Sequence, residues 1–251
     1  MTPLPEAFIA RPIAHRAYHD SAAGRPENSR AAVRAAIAAG YGIEIDLQLS
    51  ADGVPMVFHD YDLDRLTVQK GALARKTAVE LAAIPLLHGT EGIPTLAQVL
   101  ADVAGRVPLL IEIKDQDGDL GPDIGPLEAA TAAVLAGYAG PVAVMSFNPH
   151  SVAAMAQLAP ALPRGLTTSA YDHDDWAPVS HATCDRLREI PDYDRTGASF
   201  ISHEARDLAR PRVAALRAQG ARVLCWTIRS AAAEAGARRM AENITFEGYA
   251  A

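Results

Sequence analysis

Nine apolar runs of strand length punctuate the chain, near residues 13, 43, 54, 109, 142, 164, 199, 222 and 243, and seven of the eight gaps between them can hold a helix. Parallel neighbours need a crossover of that kind, whereas antiparallel neighbours can be joined by a tight turn. The one short gap is Asp52-Gly53, a dipeptide suited to a two-residue type I′ hairpin. The run at 54 therefore reads as an antiparallel return, and removing it leaves eight strands with helical or long connections. This alternation predicts an α/β fold, a (β/α)8 TIM barrel with a β-ribbon extension after strand two. The doubly wound open sheet is the rival, but no Gly-x-Gly-x-x-Gly follows the first run. A length of 251 residues, 49% of them hydrophobic, suits one large core. The chain reads as a single domain over residues 1–251, with a short, weakly patterned insertion at about 61–93.

Bulk composition excludes several partners. Formal net charge is −7 with no block of like charges, which disfavours nucleic acid and anionic membrane surfaces. Two cysteines, Cys184 and Cys225, lack Cys-x-x-Cys spacing, so neither a disulfide framework nor a structural zinc site is expected. The first residues have no basic start and no long apolar stretch, and nowhere do eighteen apolar residues run together. The expectation is a cytoplasmic protein without a membrane span, acting on a small molecule; no feature sets an oligomeric state.

Within the barrel pattern, Gly42–Asp60 concentrates the chemistry. Ile43, Ile45, Leu47 and Leu49 alternate with Glu44, Asp46, Gln48 and Ser50, the two-residue period of a strand with one apolar face. A turn centred on Asp52-Gly53 pairs residues whose numbers sum to 105, which places Asp46 across from His59. Barrel active sites lie at the C-terminal ends of the strands. There the first strand carries His15 and Arg16, the second Glu44 and Asp46, the third Glu112 and Lys114, and the seventh Trp226. Three carboxylates meeting at a barrel mouth repel one another and call for a counter-charge. All-oxygen ligands favour magnesium or calcium over zinc, so one divalent cation held by Glu44, Asp46 and Glu112 is predicted. Asp115–Asp119 looks like a calcium loop, but an EF-hand would need glycine and glutamate where Leu120 and Pro126 stand. It reads instead as a solvated acidic loop.

Several motifs then fall in a familiar order: His15-Arg16, Pro26-Glu27-Asn28-Ser29, Glu44-x-Asp46, Asp52-Gly53, His59-Asp60, Glu112-Ile-Lys114 and Trp226-Thr227. In order and spacing the chain resembles the glycerophosphodiester phosphodiesterases over nearly its whole length. The resemblance implies a barrel of the PLC-like phosphodiesterase type and hydrolysis of glycerophosphodiesters to glycerol 3-phosphate and an alcohol. It implies His15 and His59 as the acid–base pair, Glu44, Asp46 and Glu112 as metal ligands, and Arg16 and Lys114 as phosphate contacts. Two positions depart from the family's pattern. Ala17 stands where glycine is usual, and Thr245 is followed by Phe246-Glu247 where the last strand usually carries Thr-Asp, which leaves the rim of strand eight unassigned.

The residue types suit this chemistry in their own right. Phosphodiester cleavage needs charge relief on the non-bridging oxygens, a base for the nucleophile and an acid for the leaving oxygen. A cation with Arg16 and Lys114 can supply the first, and two imidazoles the others. Trp226 and Phe147 are expected to line the glycerol or alcohol pocket, with core packing as the alternative. His19, His88, His150, His173, His181 and His203 read as surface or structural residues, and Cys225 as a core residue facing the helices. Two other functions share these features. A magnesium-dependent barrel lyase or isomerase acting on a phosphorylated sugar would use Lys114 as a Schiff base. A non-catalytic phosphodiester-binding sensor would account for Ala17 and Glu247.

Overall fold

The computed structural model describes residues 2–251. Its strands are β1 (Ile13–Ala14), β2 (Gly42–Leu49), β3 (Pro55–Val57), β4 (Leu109–Ile113), β5 (Val142–Ser146), β6 (Arg164–Thr168), β7 (Phe200–Glu204), β8 (Arg222–Ile228) and β9 (Asn243–Phe246). β1 pairs in parallel with both β2 and β9, and the other neighbours follow in the order β9-β8-β7-β6-β5-β4-β2. Eight parallel strands thus close into a barrel. β3 lies outside the circle, antiparallel to the upper end of β2.

The helices are α1 (Ala7–Ala10), α2 (Arg30–Ala39), α3 (Ala78–Ala82), α4 (Leu96–Val103), α5 (Leu127–Leu135), α6 (Pro149–Leu158), α7 (His181–Arg188), α8 (Pro211–Ala218) and α9 (Ala231–Ala237). Ser29 caps α2 by accepting from Ala32 N, while Gly40 closes it at φ 74°. Thr77 and Thr95 open α3 and α4 with capping boxes. α7 falls in a polar segment, residues 170–195, that is rich in aspartate and carries no clear helical period. Only Cys184 and Leu187 of its residues are buried, so its amphipathic signal is weak; Ser180 supplies the N-cap.

The hairpin differs from its expected register. Leu47 pairs with Val57 and Leu49 with Pro55, so partners sum to 104 rather than 105. The loop holds three residues: Gly53 N donates to Ser50 O and Gly53 takes φ 78°, the arrangement of a type I turn followed by a left-handed glycine. Asp46 O accordingly accepts from Phe58 N, and His59 lies one position beyond the expected partner, after the strand has ended.

Inward and outward faces alternate along each strand. Ile43, Ile45, Ile111, Ile113, Val144, Val223, Cys225 and Ile244 point outward into the core shared with the helices. Inside, Ile13, Leu110, Ala143, Met145, Phe200 and Leu224 pack with Leu4 and Phe8 and plug the lower end. Phe200 has its place because β6 offers no side chain there: a Cβ on Gly165 would meet its ring at 2.4 Å. Asn243 ties the N-terminal segment to this floor by donating Nδ2 to Phe8 O (2.8 Å) and Arg11 O (2.6 Å). The excursion after β3 packs on its own cluster of Met56, Phe58, Leu63, Leu73, Leu81, Ile84, Leu86 and Ile93. Among the described residues no helix is long and apolar enough to cross a membrane.

Candidate active site

Above the apolar floor the inward positions become polar. β2 turns Glu44 and Asp46 into the barrel, and the β2–β4 register sets Asp46 beside Glu112. One oxygen from each of Glu44, Asp46 and Glu112 lies within 4.8 Å of the others. Glu44 and Asp46 are 1% exposed and Glu112 is 6% exposed, so water cannot disperse their charge. Their neighbours are cationic or donate protons. Lys114 Nζ stands 2.7 Å from Asp46 Oδ1 and 2.6 Å from Glu112 Oε1. Arg16 N donates to Glu44 Oε2 at 2.8 Å, and Arg16 Nε lies 3.7 Å from Asp46 Oδ2. Asn28, next to the α2 cap Ser29, donates Nδ2 to Asp46 Oδ2 at 2.9 Å. Asn28, Arg16 and Ala17 all take positive φ, at 56°, 51° and 65°, so the loop above β1 is held in a conformation that side chains disfavour. Ala17 thereby adopts the backbone state that glycine would take more easily.

If all three carboxylates were ionised they would outnumber Lys114 and Arg16, and the strain falls on Glu44. Burial, then Asp46 and Glu112, pushes the Glu44 carboxyl well above the usual carboxylate range. Burial presses Asp46 the same way, but Lys114, His59 and Arg16 outweigh it and keep Asp46 ionised. Burial would lower Lys114, yet Asp46 and Glu112 raise it above the ordinary lysine value. Three oxygen donors on rigid strands, crowded enough to drive one carboxyl toward its neutral form, could hold a hard divalent cation.

The two histidines face this cluster from different sides. His15 Nδ1 lies 2.6 Å from Glu247 Oε2, whose other oxygen accepts from Arg229 Nε at 2.8 Å. Hydrogen bonding to His15 and then His19 holds Glu247 far below its ordinary value, so the carboxylate is ionised and His15 Nδ1 must carry the proton. Burial, partly offset by the Glu247 bond, lowers His15 below 6.5. The result is a neutral imidazole whose Nε2 is the remaining acceptor. His59 Nδ1 makes the matching contact with Asp60 Oδ1 at 2.6 Å.

Together His15, Arg16, Glu44, Asp46, His59, Glu112, Lys114, Phe147 and Trp226 line one cavity of about 280 Å³ at the C-terminal mouth of the barrel. A second cavity of about 460 Å³ opens beside it, sharing His59, Glu112, Lys114, Phe147 and Trp176 and adding Tyr61 and Asp115. Trp226 is pinned by Nε1 donating to Ser202 O at 3.0 Å; its ring meets Phe147 edge-on at 5.5 Å, and Phe147 meets Trp176 at 4.8 Å. Asp115 is not the solvated residue of the expected acidic loop. It is 7% exposed and accepts from Asn148 Nδ2 (2.7 Å) and Gly118 N (2.6 Å), folding the loop back over the barrel.

Other residues escaped the sequence pattern. Glu247 reaches His15 from 232 positions away. His19, read as a surface or structural residue, has Nε2 3.6 Å from the same carboxylate. Trp176 sits in an irregular segment, and no local spacing marks it as an aromatic wall.

The chain matches a model of the glycerophosphoryl diester phosphodiesterase family over residues 15–243. It is similar to the Bacillus subtilis protein YhdW, which carries a provisional glycerophosphodiester phosphodiesterase name, with 27% identity over 86% of this chain and 85% of that one. A shorter match, 39% identical, links 36% of this chain to 29% of bovine glycerophosphodiester phosphodiesterase 1. Among solved structures, a phosphodiesterase of Oleispira antarctica in complex with the product sn-glycerol-3-phosphate superposes with a TM-score of 0.78 at 25% identity, over 96% of this chain and 94% of that one. The fold is shared with a glycerophosphodiester phosphodiesterase of Parabacteroides distasonis, with a TM-score of 0.73 at 22% identity over 93% and 91% of the two chains. With the barrel, the acidic cluster and this match over most of its length, the chain belongs to the glycerophosphoryl diester phosphodiesterase family of enzymes.

Proposed function

We propose that the protein hydrolyses glycerophosphodiesters to glycerol 3-phosphate and an alcohol, with one magnesium or calcium ion and with His15 and His59 exchanging the protons. The observation that carries this reading is convergence: three carboxylates, two cations and two carboxylate-anchored imidazoles face one cavity. Glu44, Asp46 and Glu112 would hold the ion, which when bound supplies charge relief at the phosphoryl oxygens. Arg16 and Lys114 orient the phosphate from the same wall. His15 accepts the nucleophile's proton at Nε2, a role suited to a buried neutral imidazole. His59 lines both cavities, so an alcohol leaving into the larger one departs past its ring. Phe147, Trp176 and Trp226 exclude water from the apolar side of the substrate. The product in the Oleispira antarctica complex is the glycerol phosphate half of such a substrate and supports the same assignment here.

The lyase or isomerase alternative needs an unprotonated Lys114. Paired at 2.6 and 2.7 Å with two carboxylates, that ammonium is held in its charged form and is a poor Schiff-base nucleophile. The sensor alternative drew on Ala17 and Glu247; the first keeps a glycine-like backbone and the second anchors His15, so neither marks a damaged site. The direct experiment is release of glycerol 3-phosphate from a panel of glycerophosphodiesters after chelation and readdition of magnesium, calcium or manganese. Release restored by at least one ion is expected. Absence of release from every substrate with every ion would overturn the reading.

A further inference from the structure

Arg65 belongs to the excursion and borders the larger cavity with no role assigned above, yet its guanidinium is the most heavily bonded near the site. Nη1 and Nη2 donate to Glu27 Oε2 and Oε1, both at 2.8 Å. Nε and Nη2 donate to Asp60 Oδ2 and Oδ1 at 2.7 and 2.8 Å. Each carboxylate is already engaged with a residue that lines the cavity. Glu27 Oε1 accepts from Arg16 Nη1 at 2.8 Å, and Asp60 Oδ1 meets His59 Nδ1 at 2.6 Å. The result is an unbroken line, Arg16–Glu27–Arg65–Asp60–His59, with one cation bridging two anions that would otherwise repel across a short gap. The backbone behind Arg65 is fixed as well. Leu63 is fully buried in the excursion's cluster, Leu66 packs against it, and Leu87 N donates to Leu66 O at 2.8 Å.

We propose that Arg65 is a positioning residue through which the excursion holds both Arg16 and His59 toward the cavity. Its planar fork serves two carboxylates at once, a geometry that a lysine ammonium cannot reproduce. The excursion's apolar cluster then has a functional consequence: it sets where the guanidinium stands, and so limits how far either side chain can turn away. The proposal rests on the roles given to Arg16 and His59 above, and its test must separate the two.

Arg65→Ala is expected to lose roughly ten- to a hundredfold in kcat/KM, as displaced supporting residues typically do. The loss should divide along the two arms: Glu27→Gln mainly raising KM, Asp60→Asn mainly lowering kcat, and Arg65→Ala doing both. Arg65→Lys should recover only part of the loss, and free guanidinium ion should restore turnover to Arg65→Ala. Lys70→Ala, an exposed lysine of the same excursion, should match the wild type. Calorimetric titration with magnesium or calcium should be unchanged in Arg65→Ala, since Arg65 touches none of Glu44, Asp46 and Glu112. Imidazole 15N spectra, assigned with His59→Ala, should show His59 losing its fixed Nδ1–H form in Arg65→Ala, a readout that needs no turnover. Wild-type kcat and KM in Arg65→Ala, or an unchanged His59 signal, would overturn the proposal. A wild type that turns over no glycerophosphodiester while the His59 signal still responds would instead retire the assigned reaction and leave the positioning role standing.

Discussion

His15 and His59 make the same contact, Nδ1 to a carboxylate at 2.6 Å, but assemble it in opposite ways. His59 takes its carboxylate from Asp60, the next residue. His15 takes its own from Glu247, past the last strand, and the bond forms only when β9 closes the barrel against β1. One arm is built into a local turn and braced by Arg65; the other depends on closure of the ring and is braced by Arg229. Local and distant routes thus reach the same contact, and in both rings a carboxylate occupies Nδ1 and leaves Nε2 as the nitrogen without that partner.

The comparison can be broken at several depths. The largest effects should come from the rings themselves: His15→Ala and His59→Ala should each lose about two or more orders of magnitude in turnover, measured as glycerol 3-phosphate release. Full turnover in either variant would remove that ring from the reaction. Next come the carboxylates. Glu247→Gln and Asp60→Asn should each cost roughly ten- to a hundredfold in kcat, because the anchored proton can no longer be fixed at Nδ1. If only Asp60→Asn has an effect, the arm formed by barrel closure is packing, not positioning.

The arms should also differ with acidity. Hydrogen bonding to His15 depresses Glu247 in the folded state, so its ionised form stabilises the fold fully above the ordinary value of 4.5. That contribution should fall away progressively as pH drops below about 4.5, because there the unfolded chain takes up the proton that folded Glu247 still resists. Thermal unfolding followed from pH 7 down to about 3 should therefore decline less steeply on the acid side in Glu247→Gln than in the wild type. Parallel curves would show that the bond adds nothing to closure. The smallest effect is expected at Ala17. Replacing it with glycine relieves a left-handed backbone but removes a buried methyl and frees the unfolded chain, so stability should shift by less than about 1 kcal/mol with turnover retained. A larger shift would mean that the loop beneath His15 and Arg16 is held by more than backbone preference.

Much of the site was legible because its parts repeat a strand's own period. Glu44 and Asp46 two apart, then Glu112 and Lys114 two apart, must share a face once each run is a strand, and a closed barrel turns that face inward. The hairpin shows where such counting stops. Asp52-Gly53 marked the turn correctly, but a two- and a three-residue loop differ by one position in register, and only the backbone at Gly53 separates them. His59 reached the site regardless, because β3 ends at Val57 and frees the next residues from alternation. α7 shows the opposite limit: with only Cys184 and Leu187 buried, it has too few inward residues to impose a period that counting could detect.

From its sequence alone, then, this chain determined the number of strands, the crossovers between them and the inward carboxylates, all of which follow from periodicities spanning a few residues. Tertiary structure decided the rest: Glu247 against His15, Arg65 between Glu27 and Asp60, and Asp115 folded under Asn148. Such contacts join segments whose local patterns carry no trace of one another. They exist because closing a ring of eight strands fixes which loops share its rim, and charge pairing across that rim is settled only when the distances are set.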